Sequence, residues 1–265
     1  MKLSISNLAF LDSPLEDVLP QLAELHIQGV EMAPSRLWED PLGSTIEERV
    51  SMKKKIAAHD VSVVGLQSLF YKHPDLQIFA ESPCRKKCLQ HLLGMVDLCA
   101  DLGGELIVFG AAGTRKRGDL DLATAQRIAR DFFCMAAEHA KTRNIYICFE
   151  PLSPVYHCDF VNTIAQGAEF VEAVGHPNLR LLIDTGSMFL NGEDSLEQIH
   201  NFIGLTQHIH INDPQLAPAG GKNYQHEKIA RVIKEEGYQG WLTMEFLAKD
   251  KLAENVAYSV QTYKV

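Results

Sequence analysis

The 265-residue sequence has no long apolar run and no recognisable export signal. None of its hydrophobic stretches approaches the roughly 18 residues needed to cross a bilayer, so we expect no membrane-spanning segment and no membrane partner. The first residues, MKLSISNLAFLDSPLEDVL, carry polar side chains within the apolar stretch and lack a clear cleavage site. We interpret them as a first β-strand rather than a signal peptide, and we expect a cytoplasmic protein.

Positive charge is also scarce, because the formal net charge is −9 and no basic block is longer than RKR at 115–117. Since Lys and Arg supply most of the non-specific affinity for nucleic acid, this balance argues against a nucleic-acid partner. The six cysteines show no disulfide-scaffold spacing, so we expect reduced thiols. No Pro-, Gly- or Ser-rich linker divides the chain, and we expect residues 1–265 to form one domain.

The sequence does contain a regular alternation of two kinds of segment. Apolar, β-branched runs predict eight strands, at residues 3–10, 29–34, 61–70, 105–113, 144–151, 179–186, 208–214 and 240–246. Segments with helical periodicity lie at 14–28, 83–103, 123–143, 163–175, 195–204, 226–237 and 251–263. This alternation, over about 250 residues, is typical of a closed parallel (β/α)8 TIM barrel of the α/β class. An open doubly wound sheet is the alternative, although no GxGxxG motif opens the first unit.

Each of the last four predicted strands carries a potential metal ligand near its C-terminal end. These residues are Glu150, Asp184, His210 and Glu245. Side chains alternate along a strand, and the residue just before each of the three carboxylates is apolar, which suits a position facing the surrounding helices. We therefore expect all four ligands to point into the barrel mouth, where active sites of this fold form.

Three carboxylates and one histidine would repel one another in a confined space without a cation. An oxygen-rich set with a single histidine suits one divalent ion, with Mn²⁺ as the first choice and Mg²⁺, Co²⁺ or Zn²⁺ as alternatives. Taken singly, a carboxylate that caps a helix, or a histidine buried in the core, is the simpler explanation. Four such residues on consecutive strands favour a metal site.

The same motifs resemble the xylose-isomerase-like barrel superfamily over nearly the whole chain. The resemblance rests on CFEPLSP, LLIDTG, HIHINDP and GWLTMEF, and on ligand spacings of 34, 26 and 35 residues that are similar to those of ketose epimerases. This superfamily includes ketose 3-epimerases, sugar-phosphate isomerases and epimerases, several dehydratases and type IV AP endonucleases. The resemblance implies a small carbohydrate substrate. It also implies a homo-oligomer as an alternative to a monomer.

The resemblance further implies proton transfer at a carbon next to a carbonyl. The metal would polarise the carbonyl of a ketose or ketose phosphate and stabilise an enediolate. Glu150 and Glu245 would be the catalytic pair, one removing a proton and the other returning it, which gives epimerisation or isomerisation. The alternative is a metal-dependent dehydratase, a lyase acting on a cyclic polyol or a dehydroshikimate-like acid.

Two positions distinguish this chain from the ketose 3-epimerase pattern. Those enzymes carry a substrate-binding histidine where this chain has Ser187, and a substrate-binding arginine where it has Leu216. Tyr156 matches the place of another polar residue that they use. Ser187 also differs from the endonuclease branch, whose zinc cluster uses a histidine there. A phosphodiesterase acting on abasic DNA, and a non-catalytic barrel that binds a metal and a carbohydrate, are the remaining hypotheses.

Substrate contacts are predicted on the loops that follow the strands. The predicted contacts are Ser187, His226, Gln67, Trp38 and Arg115. Arg115 could bind an anionic group, although a solvated basic loop explains it equally well. The stretch Gly220–Gly221–Lys222, before a helix start, could do the same with its backbone N–H groups, and a flexible turn explains it equally well.

Several residues near the ends of the first three strands could support the site. Trp38 and Phe70 could form an apolar wall, although ordinary packing explains both. Asn7, Glu31 and Gln67 are polar residues that could contact the substrate or the metal ligands. The ring nitrogen of His210 that does not face the metal should also have a hydrogen-bond partner, which the sequence does not identify.

Overall fold

The computed structural model describes residues 1–221 and 224–264, whose eight parallel strands close into a barrel. Each strand pairs with the next, and the last pairs with the first. The strands are β1 (Lys2–Ser6), β2 (Gly29–Met32), β3 (Ser62–Leu66), β4 (Leu106–Phe109), β5 (Tyr146–Phe149), β6 (Leu179–Asp184), β7 (Thr206–Ile211) and β8 (Trp241–Met244). The predicted (β/α)8 barrel is confirmed, and the open-sheet alternative is wrong.

Nine α-helices surround the barrel in the described part of the chain. They are α1 (Leu15–Glu24), α2 (Ile46–Ala57), α3 (Ser82–Leu102), α4 (Leu122–Thr142), α5 (Ile164–Val174), α6 (Thr185–Asn191), α7 (Ser195–Phe202), α8 (His226–Glu235) and α9 (Leu252–Tyr263). Among the described residues, no helix has both the length and the apolar character needed to cross a membrane.

Helix α2 was not among the predicted helices, because its apolar stripe is thin. Its sequence, IEERVSMKKKIA, is rich in charge, and Ile56 is its one buried residue. A capping box marks its start: the Thr45 side chain accepts from the backbone N–H of Glu48, whose carboxylate accepts from the backbone N–H of Thr45. That box was the available sequence signal for the helix.

The barrel interior changes from apolar to polar along the strands. Its lower part is filled by side chains such as Val108, Cys148 and Leu182, which are all buried. Glu150 and Asp184 follow Cys148 and Leu182 by two residues and therefore point to the same interior. The apolar interior thus supports a layer of charged side chains at the mouth.

The strand register brings the charged residues to the same level along the barrel axis. Asp184 pairs in register with His210, and His210 pairs with Thr243. Glu245 follows Thr243 by two residues and so shares its face. Outside the barrel, Phe133 packs edge-to-face on Phe109 and Phe149, with ring centres 4.8 and 5.2 Å apart, and fixes β4 and β5 against α4.

Candidate metal centre and active site

Four buried side chains meet at the barrel mouth. One potential ligand atom from each of Glu150, Asp184, His210 and Glu245 lies within 4.8 Å of the others. Nδ1 of His210 lies 3.0 Å from Oε2 of Glu245 and 3.6 Å from Oε1 of Glu150. Its distance to Oδ2 of Asp184 is 3.9 Å. The four residues predicted from strand ends are therefore brought together around one point.

The donor set fits a divalent cation, because its charge is unbalanced without one. Burial and the charges of Glu150 and Glu245 raise the pKa of Asp184 to about 7. Burial also raises the pKa of Glu150, and Glu245 adds to this effect. Nδ1 of His210 is buried and makes no hydrogen bond with any described residue. A cation at this point would satisfy Nδ1 and keep the three carboxylates ionised.

Asp184 is oriented by groups on β6, α6 and the end of β7. Its Oδ1 accepts a hydrogen bond of 2.6 Å from the backbone N–H of Ser187. Its Oδ2 accepts one of 2.8 Å from Nδ2 of Asn212, whose Oδ1 in turn accepts from the N–H of Gly186 at 2.7 Å. Sequence reasoning missed Asn212, although it continues the alternation of His208 and His210 by two residues.

Glu31, at the end of β2, binds the opposite side of His210. The Nε2 atoms of His208 and His210 lie 2.6 and 3.1 Å from its two carboxylate oxygens. Burial alone would raise the pKa of Glu31, but the two histidines outweigh it and lower that pKa to about 2. Glu31 thus supplies the hydrogen-bond partner that the sequence could not identify. It keeps the Nε2 proton in place and leaves Nδ1 facing the carboxylates.

Arg115 contacts the backbone of Glu150. It is fully buried, its Nη2 donates to the backbone oxygen of Glu150 at 2.6 Å, and its Nε donates to Sγ of Cys158 at 3.4 Å. Its guanidinium carbon lies 4.7 Å from the ring centre of Phe149. Arg115 does not line the cavity, so its position gives no support to the predicted contact with a substrate anion.

A cavity of about 530 Å³ opens above the charged cluster. Its lining includes Glu150, Asp184 and Glu245, together with Gln67 and Tyr156. The predicted substrate contact from Gln67 remains a prediction, since its side chain lines this space while its Nε2 donates to Ser6. Gly110 also lines the cavity, and a Cβ at this position would overlap Oε2 of Glu150.

Two other predicted substrate contacts do not line the cavity. Ser187 is buried, and its Oγ accepts a hydrogen bond of 2.9 Å from the backbone N–H of Ser153, which ties the loop after β5 to α6. Trp38 is half-buried and packs against the hydrophobic core. Their positions do not support the predicted roles, whereas Phe70, for which packing was the simpler reading, does line the cavity.

His226 and the glycine-rich loop before it serve the structure of the barrel. His226 is fully buried, with Nε2 2.8 Å from Oδ1 of Asp213 and Nδ1 2.8 Å from the hydroxyl of Tyr263. The second carboxylate oxygen of Asp213 accepts from the N–H of Gly221 at 2.6 Å. The carboxylate of Asp213 therefore accepts the hydrogen bond of an N–H group that the sequence suggests for anion binding, and His226 does not line the cavity. Lys222 lies outside the described residues.

Comparison with known proteins agrees with this geometry. The model of the family described as xylose isomerase-like TIM barrel matches residues 19–263. The chain belongs to this family. Among solved structures, a D-psicose 3-epimerase crystallised in the presence of D-fructose aligns with a TM-score of 0.83 and 16% identity, over 100% of both chains. At that identity the likeness shows the fold.

Curated relatives match over shorter stretches. L-ribulose 3-epimerase from Mesorhizobium japonicum is 27% identical over 167 residues, which cover 61% of this chain and 54% of the relative. A probable ketose 3-epimerase from Synechocystis is 28% identical over 129 residues, covering 48% of this chain and 45% of the relative. The chain therefore matches about half the length of each of these relatives.

Proposed function

We propose that this protein is a divalent-metal-dependent isomerase or epimerase acting on a sugar or sugar phosphate. The observation that carries the proposal is the meeting of two glutamates, Glu150 and Glu245, with His210 and Asp184 at the floor of one cavity. Relatives named as ketose 3-epimerases support the same chemistry. A metal-dependent dehydratase remains the alternative, because it would use the same residues.

The proposed cofactor is one divalent ion held by Glu150, Asp184, His210 and Glu245. Mn²⁺ is the first choice for this oxygen-rich set, with Mg²⁺, Co²⁺ and Zn²⁺ as alternatives. When bound, such an ion polarises a carbonyl group and acidifies the neighbouring C–H bond.

The protein side chains divide into holding and proton-transfer roles. Both carboxylate oxygens of Asp184 are already engaged by Ser187 and Asn212, so we assign Asp184 as a ligand only. No described backbone N–H donates to the carboxylates of Glu150 and Glu245, which leaves oxygens free to take and return a proton. The two glutamates come from β5 and β8, with two strands between them, and so approach a bound carbon from different sides.

The wider setting of the enzyme is part of the same proposal. We propose that residues 1–265 work as one domain in the cytoplasm, on a small carbohydrate, with no nucleic-acid or membrane partner. The formal net charge of −9 supports the exclusion of nucleic acid. Assembly as a homo-oligomer is an open part of the proposal, and a mass measurement in solution would decide it.

The test combines metal content with hydrogen exchange at carbon. The purified protein is loaded with Mn²⁺, its metal is quantified by elemental mass spectrometry, and ketoses and ketose phosphates are incubated with it in D₂O. We expect about one ion per chain and deuterium at the carbon next to the carbonyl, seen by NMR. A new ultraviolet absorbance from a conjugated product would point to the dehydratase. Bound metal with neither signal would contradict both.

A further inference from the structure

One side of the cavity is formed by leucines from the loops around β8. Leu216, after β7, and Leu8, after β1, both line the cavity. The backbone N–H of Leu247, after β8, donates to the oxygen of Leu216 at 2.9 Å, and the N–H of Leu11 donates to the oxygen of Ala248 at 3.0 Å. These hydrogen bonds join three loops. We call Leu8 and Leu216, which line the cavity, together with Leu247, which is bonded to Leu216 but does not line it, the leucine wall.

Leu216 is held in an unusual backbone conformation. Gln215 and Leu216 have φ angles of 63° and 57°, in the left-handed region that non-glycine residues rarely adopt. The turn is closed by a hydrogen bond of 2.9 Å from the N–H of Asp213 to the oxygen of Ala217. Residues held in such conformations cluster at ligand sites, and Ser68, at φ 53°, lines the same cavity. The structure therefore fixes a leucine side chain against the site.

The two sides of the cavity differ in how many hydrogen-bonding side chains they offer. The loop after β3 contributes the apolar Leu69 and Phe70, but it also contributes four polar side chains, Gln67, Ser68, Lys72 and His73. A sugar hydroxyl could find partners there, but against a leucine it would lose its hydrogen bonds to water and gain none. Among the described residues, the leucine wall contains no cation for a phosphate. It therefore suits an apolar group.

Exposed apolar side chains also lie on the loops at this end of the barrel. Leu247, Val155 and Tyr71 are 49%, 53% and 61% exposed, and all three lie on loops at the mouth of the barrel. Exposed apolar side chains that gather around one opening mark a binding surface more often than scattered ones do. The cavity volume of about 530 Å³ also lies in the range for drug-sized ligands, so a single monosaccharide would leave part of it empty.

We propose that the substrate is a ketose carrying an apolar substituent, such as an aryl or alkyl ether or glycoside, and that the leucine wall binds this substituent. The sugar part then lies over Glu150 and Glu245, with its hydroxyls toward the loop after β3. This inference rests on the proposed function, because it assigns a substrate class to the same site. Leu216 is its specificity-determining residue.

The test compares four ketose probes with the Mn²⁺-loaded protein in D₂O. The probes are dihydroxyacetone, D-fructose, D-fructose 6-phosphate and O-benzyl-D-fructose, the last as its 1- and 6-isomers. We expect the better benzyl isomer to exceed D-fructose in kcat/KM by about tenfold or more, mainly through a lower KM, because it buries apolar surface. Leu216→Ser should reduce that ratio to about threefold or less. Leu122→Ser, an exposed leucine on the outer helix α4, is the matched control and should keep the ratio.

The possible results separate this proposal from the proposed function. Deuterium exchange in dihydroxyacetone or D-fructose without a preference for a benzyl isomer would overturn the substrate class and leave the function standing. A preference for the 6-phosphate over both benzyl isomers would overturn it too. If no probe exchanges while metal is bound, the proposed function fails. A thermal-shift measurement then tests whether the leucine wall binds an apolar substituent. A larger rise in melting temperature with a benzyl isomer than with D-fructose supports it, and an equal rise overturns it.

Discussion

Two clusters of acid and histidine side chains share His210 but differ in charge balance. In the inner cluster, Glu31 lies between His208 and His210, and its pKa is lowered to about 2. In the outer cluster, three carboxylates face one imidazole, and the pKa of Asp184 is raised to about 7. Both clusters are buried, so burial does not explain the difference. The ratio of opposite charges does, and it separates a cluster whose charges balance from one that could bind a metal ion.

The inner cluster is also hydrogen-bonded to the neighbouring strands. Nε2 of His208 lies 3.1 Å from Oγ1 of Thr243, which lies 2.6 Å from Oγ of Ser4. These contacts link β7, β8 and β1 beneath the mouth. The outer cluster has the cavity above it, where a substrate has access. Breaking each cluster in turn should therefore give different kinds of loss.

The largest expected effect comes from the outer cluster. Glu245→Gln should lower the rate of deuterium exchange by about 10²–10⁴-fold, because it removes a group that takes or returns the proton. It should also weaken metal retention, measured by elemental mass spectrometry. The matched control is Glu172→Gln on the exposed side of α5, which should leave both unchanged. Full activity in Glu245→Gln would remove this residue from the mechanism.

A smaller effect is expected from the inner cluster. Glu31→Gln should weaken Mn²⁺ affinity by about 10–100-fold, because the ring of His210 loses the carboxylate that orients it and raises its basicity. Titration calorimetry measures this affinity, with the exposed Glu169→Gln as control. An affinity equal to that of the unchanged protein would show that Glu31 acts on the fold alone.

The pH dependence of the metal-free protein should show the charge imbalance directly. The pKa of Asp184 is about 7 in the folded protein, above its ordinary value of 3.8. The folded state therefore binds more protons in this interval, and stability falls as pH rises from about 4 to about 7. Asp184→Asn removes this loss. The melting temperature of the variant minus that of the unchanged protein should therefore increase as pH rises. Saturating Mn²⁺ should stabilise the unchanged protein more at high pH, and a pH-independent difference would argue against a buried ionised cluster.

The smallest effect is expected from the polar contacts below the metal. Thr243→Val removes the hydroxyl that contacts Ser4 and His208. We expect a loss of about 1 kcal/mol in the free energy of unfolding. The corresponding fall in melting temperature is about 2–4 °C, with unchanged metal content. Loss of metal in this variant would mean that the two clusters are more tightly coupled than their separate contacts suggest.

The barrel and the meeting of the four candidate ligands could be predicted because both depend on local alternation. Side chains alternate along a strand with a period of two residues, which fixes the set that shares a face. Glu150 and Asp184 could therefore be assigned to the interior from sequence. The predicted strands are too long at their C-terminal ends, since segments such as 67–70, which the prediction includes in a strand, form loops that line the cavity. Helix α2 was missed because its apolar stripe is thin.

The loop residues could not be predicted because their environment depends on distant partners. Arg115 looked like part of an exposed basic loop, but it is buried by contacts with Glu150 and Cys158, which are 35 and 43 residues away. His226 likewise contacts Asp213 and Tyr263, from the β7 loop and α9. Side-chain type alone does not distinguish a charged group that binds a ligand from one that supports the fold.

Gly110 has a consequence for how this site can vary. Its missing side chain leaves the space that the carboxylate of Glu150 occupies. Any change in the first or second base of a glycine codon adds a side chain or a stop, while changes in the third base are silent. Random mutagenesis therefore offers this position almost no tolerated alternative. Libraries that aim to alter the substrate should leave codon 110 fixed and vary residues on the other side of the cavity, such as those of the leucine wall.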